Sequence, residues 1–489
     1  MLVMSNRLLR PLSLLAAALV VAGCASTQGI APQAQVLAPS SLGVQDAAVA
    51  APLAPDWWLG YGDAALDALV ARALADSPDL KLAQARIAQA QAATGLAEAA
   101  RLPRLDGSAD ATRQRYTENG LYPPPLAGST RSSATLQLEA SWELDLFGKQ
   151  RAALDAAIGN ARAAQADAQA ARTLLAANVV RGYVELARLV EQKTVAERAL
   201  AQRQDTLALV RQRTQAGIDT QVELRQAEGS VPDTRQQIES LNEQIALARH
   251  ALAALTVQAP DALDALAPAL SPWRLTTLPA VIPGDLLARR PDIAASRWRV
   301  EAAAKEIDVA KAGFYPSVNL VAFAGVSAIG LDRLFEAGSA QAGIGPAIRL
   351  PIFDAGRLRS NLRGRAAEVD AAVEAYNAGV LDAVREVADR IASLQSVERQ
   401  AHEQREAQDA AESAYDLATQ RYRAGLGSYL TVLTAETSVL SQRRQATDLK
   451  ARALETQVAL IRALGGGYQP GALPRGDVAA LAAAAPSAR

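Results

Sequence analysis

GKQRAALDAAIGNARAAQADAQAARTLLAANVVRGYVELARLVEQKTVAERALAQRQDTLALVRQRTQ, residues 148–215, is the stretch from which the fold is read. It has no proline and is dense in Ala, Leu, Gln, Glu and Arg, the strongest helix formers. Val179, Leu186, Leu200 and Leu207 stand on one seven-residue ladder. Leu175, Leu189, Ala196 and Val210 stand on a second, and together the ladders make a coiled-coil seam. A helix over these sixty-odd residues runs roughly 95 Å, too long for a compact globular domain. Gly182, Lys193 and Arg203 interrupt the seam, and alanine fills much of the remaining circumference, so the helix is expected to touch neighbours on several sides.

The helix occurs twice. Arg213-Thr-Gln-Ala-Gly217-Ile and Leu224-Arg-Gln-Ala-Glu228 return as Arg421-Tyr-Arg-Ala-Gly425-Leu and Val432-Leu-Thr-Ala-Glu436, both 208 residues later. Ser77-Pro-Asp79 answers Arg290-Pro-Asp292, and Leu102-Pro103 answers Tyr315-Pro316. The unit of about two hundred residues is far longer than a solenoid repeat, so the copies are read as paired halves of one architecture.

Between the helices of each copy lie strands. From Ser133 to Phe147 apolar and polar residues alternate. Leu136, Leu138, Ala140, Trp142, Leu144 and Leu146 share one face, and Gln137, Glu139, Ser141, Glu143 and Asp145 the other. Residues 104–116 form a poorer strand. In the second copy Pro316–Ser327 and Gly343–Phe353 occupy the corresponding places. Two-faced strands of nine to eleven residues match the staves of a transmembrane β-barrel, and four cannot close round an aqueous lumen, so several chains would contribute. Leu138, Trp142 and Leu144 are then expected to meet lipid, and Glu139 and Glu143 to face the lumen. A soluble sandwich with the apolar face as core is the competing reading.

The domain order expected is a signal peptide (1–23), a lipidated flexible tether (24–55), a first repeat (56–255), a proline-rich crossover (256–285), a second repeat (286–467) and a disordered Ala/Pro-rich tail (468–489). Within the first repeat, a helix from about Asp63 to Arg101 is expected to break at Asp76-Ser-Pro78. Pro232 is expected to kink or delay the return helix. In the leader, Arg7 and Arg10 flank a short apolar run ending Val21-Ala22-Gly23-Cys24, which resembles a lipobox. Cys24 is the only cysteine, so no disulfide forms within one chain, and lipidation accounts for a lone exported thiol. The net charge of −1 points to no nucleic-acid partner. His250 and His402 are the only histidines, both in polar helical context. Without phosphate loop, nucleophile elbow or ligand cluster, neither cofactor, metal nor catalysis is expected.

The chain resembles the TolC-like outer-membrane factors, in the lipidated branch serving resistance–nodulation–division (RND) efflux pumps, sometimes called the NodT family. The resemblance rests on Trp57-Trp58…Gly62-Asp63, Trp142-Glu-Leu-Asp-Leu-Phe-Gly148 and Ile282-Pro-Gly-Asp-Leu-Leu-Ala-Arg-Arg-Pro-Asp292. Phe314-Tyr-Pro-Ser317, Pro351-Ile-Phe-Asp-Ala-Gly356 and Arg421-Tyr-Arg-Ala-Gly-Leu-Gly-Ser-Tyr-Leu430 complete it. It implies a mostly α homotrimer: four strands per chain in a shared twelve-stranded outer-membrane barrel, and duplicated long-helix hairpins in a periplasmic α-barrel. It also implies a periplasmic adaptor and an inner-membrane RND transporter as partners. The turns at Gly217 and Gly425 would form the periplasmic tip, with Tyr422 matching a tip tyrosine and Glu223 a tip acid. Gly427 stands where the family's pairing arginine would be, and Thr431 and Thr434 where TolC has pore aspartates. A substitute ion pair of Arg421 or Arg423 with Glu223 is geometrically conceivable, and Tyr422, with ring area and a hydroxyl, is the sturdier closing contact expected at the gate.

Function is thus expected to be that of a lipid-anchored exit duct for toxic small molecules. The alternatives are a duct for type I protein secretion and a lipid-anchored periplasmic coiled-coil scaffold.

Overall fold

The computed structural model describes residues 26–38, 42, 53–270 and 289–469. Cys24, residues 271–285 of the crossover and the tail beyond 469 lie outside them. The first half of the chain runs α1 (Ala64–Asp76), α2 (Pro78–Ala99), β1 (Arg104–Arg115), β2 (Thr130–Leu144), α3 (Lys149–Gln215) and α4 (Gln221–Leu255). The second runs α5 (Pro291–Ala312), β3 (Ser317–Ile329), β4 (Ala340–Arg349), α6 (Arg357–Arg423) and α7 (Tyr429–Ala463). Helices α3 and α6 have 67 residues each, α4 and α7 35 each, and every boundary repeats after 208 residues. At 1.5 Å per residue these are rods of about 100 and about 50 Å. The expected break after Asp76 is present, with Pro78 opening α2. Pro232 neither delays nor ends α4, which starts at a Thr220 cap and runs through the proline.

The chain divides into two compact units. One, comprising described residues 26–36, Arg86–Ala164 and Ser296–Tyr376, holds the sheet. Its four strands lie in the order β1-β2-β3-β4, all antiparallel. The register carries one apolar face across the sheet: Leu138 opposite Ala324, Trp142 opposite Leu320, Leu144 opposite Val318, and Val318 in turn opposite Ile348. Glu139 and Glu143 share the other face, opposite Phe323 and Asn319.

Two strands differ from expectation at both ends: β2 is Thr130–Leu144 rather than Ser133–Phe147, and β4 is Ala340–Arg349 rather than Gly343–Phe353. The residues after each belong to helix starts. Asp145 accepts the amides of Gln150 and Arg151 at 3.1 and 2.9 Å, and Asp354 those of Gly356 and Leu358 at 3.0 and 2.8 Å. An aspartate at a helix N-terminus satisfies unpaired donors and complements the dipole. Gly148 and Gly356 turn the chain with φ of 75° and 86°.

Helices in this unit approach closely, as alanine richness predicts: a Cβ on Gly159 would stand 3.0 Å from that of Ala302. The N-terminal residues correct a second expectation. Residues 26–36 are a strap, not a flexible tether. Asp370 accepts the amides of Gln33 and Ala34 at 2.7 and 2.8 Å, and Arg359 donates to the carbonyls of Ser26 and Gln28. Ile30, Ala34 and Val36 pack against the core of Val300, Ile307, Phe314 and Leu362. Aperiodic composition hid this, because the strap's hydrogen-bond partners are side chains over three hundred residues away.

The other unit comprises the described residues within Leu37–Ala85 and Gln165–Ala295, and those from Asn377 to 469. Its core takes in the seam residues Val179, Leu186 and Leu189, together with Leu252, Leu454 and Val458. The Trp57-Trp58 motif forms a short 3-10 helix, Trp57–Tyr61, buried in that core with its rings edge to face. Asp63 caps α1 and accepts the Tyr183 hydroxyl at 2.8 Å. Arg290 of the Arg-Arg-Pro-Asp segment is buried; it pairs with Asp292 at 2.7 Å and Glu386 at 3.0 Å and donates to the Ala463 carbonyl. Gly465, Gly466 and Gly467 all have positive φ and press against Arg289, Thr173 and Ala54, where no Cβ fits. His250 and His402 are exposed.

Candidate functional site

The two turns that join the long helices have one backbone. Gly217 and Gly425 sit at φ 74° and 78°. The amides of Ile218 and Leu426 reach back to the carbonyls of Arg213 and Arg421 at 2.9 and 2.8 Å. Those of Gly217 and Gly425 reach Thr214 and Tyr422, both at 3.0 Å. This is the Schellman end of a helix, and a glycine takes its left-handed residue without strain.

Side chains from the two turns meet. The Tyr422 hydroxyl donates to Asp219 Oδ2, to which Arg213 Nε also donates at 3.0 Å. Arg213 Nη1 donates to the Tyr422 carbonyl at 3.1 Å, and its guanidinium carbon stands 4.6 Å from the centroid of the Tyr422 ring. The three side chains are shielded: Tyr422 is 1% exposed, and the Arg213 and Asp219 side chains 12% and 9%. Leu207, Val210, Val231, Tyr429 and Val432 form one apolar cluster with Tyr422. Burial, and then Asp219, push the Tyr422 phenol above its ordinary range, so it stays protonated and donates. The Asp219 bond raises the Arg213 guanidinium, which keeps its charge.

A second polar knot lies further along the same helices. Arg203, one of the interruptions in the seam, pairs with Glu436 at 3.3 Å and donates to the Ser230 carbonyl and Thr234 Oγ1 at 3.0 and 2.8 Å. Glu436 is 6% exposed; burial raises its carboxyl, and Arg203 opposes that shift.

The geometry departs from the expected gate. Glu223 does not pair with Arg421 or Arg423. It closes a capping box on α4, accepting the Thr220 amide at 2.9 Å and its hydroxyl. Thr220, foremost, holds the Glu223 carboxyl below its ordinary value. Arg423 is exposed and outside the cluster. The acid that Tyr422 finds is Asp219, which the sequence reading passed over together with Arg213. One signal for it existed: in the 208-residue alignment of the copies Asp219 faces Gly427, so an acid stands in one turn and no side chain in the other. Thr431 and Thr434 are exposed on α7. Thr431 Oγ1 lies 3.1 Å from Ser428 Oγ, and the Thr434 hydroxyl donates to the Leu430 carbonyl at 2.9 Å. On the sheet, Leu138 is 55% and Trp142 38% exposed, and the Trp142 indole donates to the Arg101 carbonyl at 2.9 Å. Leu144 is half-buried, and Glu143 pairs with Lys149 at 3.0 Å.

Known proteins share this fold. The sequence pattern described as "Outer membrane efflux protein" matches residues 69–257 and 282–466, one segment in each repeat. The fusaric acid resistance protein FusA of Burkholderia cepacia is 41% identical over 361 residues, covering 72% of this chain and 68% of that protein. The putative multidrug resistance outer membrane protein MdtQ of Escherichia coli K12 is 34% identical over 421 residues, covering 84% and 88%. Among solved structures, the outer membrane protein VceC of Vibrio cholerae superposes with a TM-score of 0.81 at 37% identity, over 86% of this chain and all of that one. Two-faced strands, duplicated long helices and both matched segments lead to one conclusion: the chain belongs to the outer membrane efflux protein family, and is an efflux channel of the outer membrane.

Proposed function

We propose that three copies of the chain form a passive exit duct, fed by an RND-type pump of the inner membrane through a periplasmic adaptor. The observation that carries this reading is the sheet: one face is apolar across all four strands, the other bears Asp106, Glu139 and Glu143, and among the described residues both edges are unpaired within one chain. Closing three such sheets edge to edge satisfies those edges and yields an apolar belt around a polar lumen. Leu138, Trp142 and Leu144 then meet lipid, and Glu139 and Glu143 line the pore. Cys24 carries the lipid anchor. The names of the relatives, fusaric acid and multidrug resistance, favour small toxic molecules over protein cargo. The chain performs no chemistry, and the pump supplies the driving force.

The turns at Gly217 and Gly425 form the tip, held shut while Tyr422, Asp219 and Arg213 stay joined. Ile218 and Leu426, 62% and 69% exposed beside them, are the surface for the adaptor. Purified protein in planar bilayers tests the reading. Discrete conductance steps are expected from a species with the mass of a trimer, larger for Tyr422→Ala at unchanged trimer content. A monomer without conductance would end the duct reading, and unchanged conductance in a trimeric Tyr422→Ala channel would remove the tyrosine from the gate.

A further inference from the structure

The polar face of the sheet is not uniform. Its β1–β2 half carries the carboxylates, whereas its β3–β4 half carries none: there Val321 and Phe323 stand beside Gly343 and Gly345, with Asn319, Gln341 and Arg349 among the polar residues. One row crosses both halves: Asp106, Glu139, Phe323 and Gly343 stand opposite one another on successive strands. The Phe323 ring, 38% exposed, thus sits on the polar face with Val321, while Val318, Leu320 and Ile348 lie on the opposite face. The ring lies on the backbone of Gly343, where an added Cβ would come within 2.7 Å of it. Beside it, Gly345 has no neighbour within 4 Å of where a Cβ would stand, so the wall next to the ring is open.

The carboxylate across the ladder from the ring differs from its neighbours. Asp106 pairs with Arg104 at 2.5 Å and Glu143 with Lys149 at 3.0 Å. Glu139 accepts only the Gln137 amide, and among the described residues it has no cationic partner. Gln137 is itself held by Gln341, whose amide donates to it at 3.0 Å. Directly opposite residues on antiparallel strands have Cβ atoms about 4.5–5.5 Å apart, so the Glu139 carboxylate and the Phe323 ring are within reach of one small molecule. Placing Asp106 opposite Glu139 sets like charges against each other, which strands avoid without a reason.

We propose that Phe323 and Glu139 form a contact station for amphiphilic organic cations on the lumen wall. The ring takes the flat apolar part of the ligand by aromatic contact, and the carboxylate takes the positive charge. In a trimer the station occurs three times around the pore. The proposal rests on the reading above that the Glu139 face is lumenal, and the experiment separates the two. Phe323→Cys goes into a chain whose only other cysteine is Cys24. Labelling of the new thiol by a charged, membrane-impermeant reagent is expected; failure to label overturns the assignment of faces, and the station with it.

Single-channel block by tetraphenylphosphonium and by spermine then addresses the station alone. Phe323→Ala and Phe323→Leu are expected to weaken tetraphenylphosphonium block about two- to five-fold, Phe323→Tyr to retain it, and all three to leave spermine block unchanged. Glu139→Gln should weaken block by both cations. A labelled, trimeric channel whose tetraphenylphosphonium block survives both Phe323→Ala and Phe323→Leu shows that the ring merely covers Gly343, and overturns the station. So does an equal loss of spermine block in those variants.

Discussion

The turn after α3 and the turn after α6 are copies that kept one backbone and exchanged their chemistry. Both end a 67-residue helix at a left-handed glycine, with the same pair of reaching-back amides. Position by position, Thr214 answers Tyr422, Asp219 answers Gly427 and Glu223 answers Thr431. The first turn keeps the acids and the second the phenol, so neither could make the Tyr422–Asp219 bond with a copy of itself. Duplication supplied two equivalent ends, and divergence made them complementary. Backbone geometry therefore reports what the repeats share, and the side chains report what each contributes to the tip.

The largest test of that division removes the acid. Asp219→Ala leaves the Tyr422 hydroxyl and a shielded guanidinium without their acceptor, and the free energy of local opening at the tip is expected to fall by about 3 kcal/mol. Its copy-mate, Gly427→Ala, places a methyl at ordinary contact distance, 3.5 Å from Arg421 Cβ, and should change stability by under about 0.5 kcal/mol. Hydrogen exchange over residues 207–219 and 418–432 reads both, and equal effects from the two variants would mean that the turns have not divided their roles. Next come the glycines. Gly217→Ala and Gly425→Ala each force a Cβ into the left-handed region, where the surrounding space is open, so strain alone acts. Each should cost about 1–2 kcal/mol, the same for both. A clear difference in thermal unfolding between the two would break the claim of a shared backbone.

What could be read in advance follows the same line. Helix lengths, the strand faces of Leu138 and Glu139, the break at Pro78 and the turns at Gly217 and Gly425 are local or periodic, and they stand in the order of the residues. The Asp219–Tyr422 bond spans 203 residues, and the Arg203–Glu436 pair 233. Nothing in the neighbourhood of Asp219 marks it as different from any loop acid, while Glu223, at capping-box spacing from Thr220, had a local role that could have been named. Arg203 was visible only as a flaw in an apolar ladder, and a charge at such a place implies a buried partner. The strap at residues 26–36 escaped for the same reason, since Asp370 and Arg359 bind its backbone and leave no pattern in its side chains.

The smallest expected effect concerns the cap that only the first turn possesses. Glu223 accepts from Thr220, and its carboxyl lies below the ordinary value of 4.5 in the folded chain. A carboxyl lowered by folding adds stability that is present above its unfolded pKa and is lost as pH falls through the folded one. The start of α4 should therefore loosen in acid only below the ordinary range of a glutamate carboxyl. The start of α7 has no acid in its first turn, and the Ser428–Thr431 hydroxyl contact does not titrate, so it should hold across the same range. Asp219 lies nearby and raises the Glu223 carboxyl slightly, so Asp219→Asn should move the loosening to still lower pH. Hydrogen exchange, corrected for the intrinsic pH dependence of the amides, compares peptides covering residues 218–228 and 426–436 between pH 6 and pH 3. Glu223→Gln should abolish the pH dependence of the first peptide and leave the second untouched. If both peptides loosen together, acid is acting on the shared tip cluster rather than on the cap, and this difference between the copies disappears.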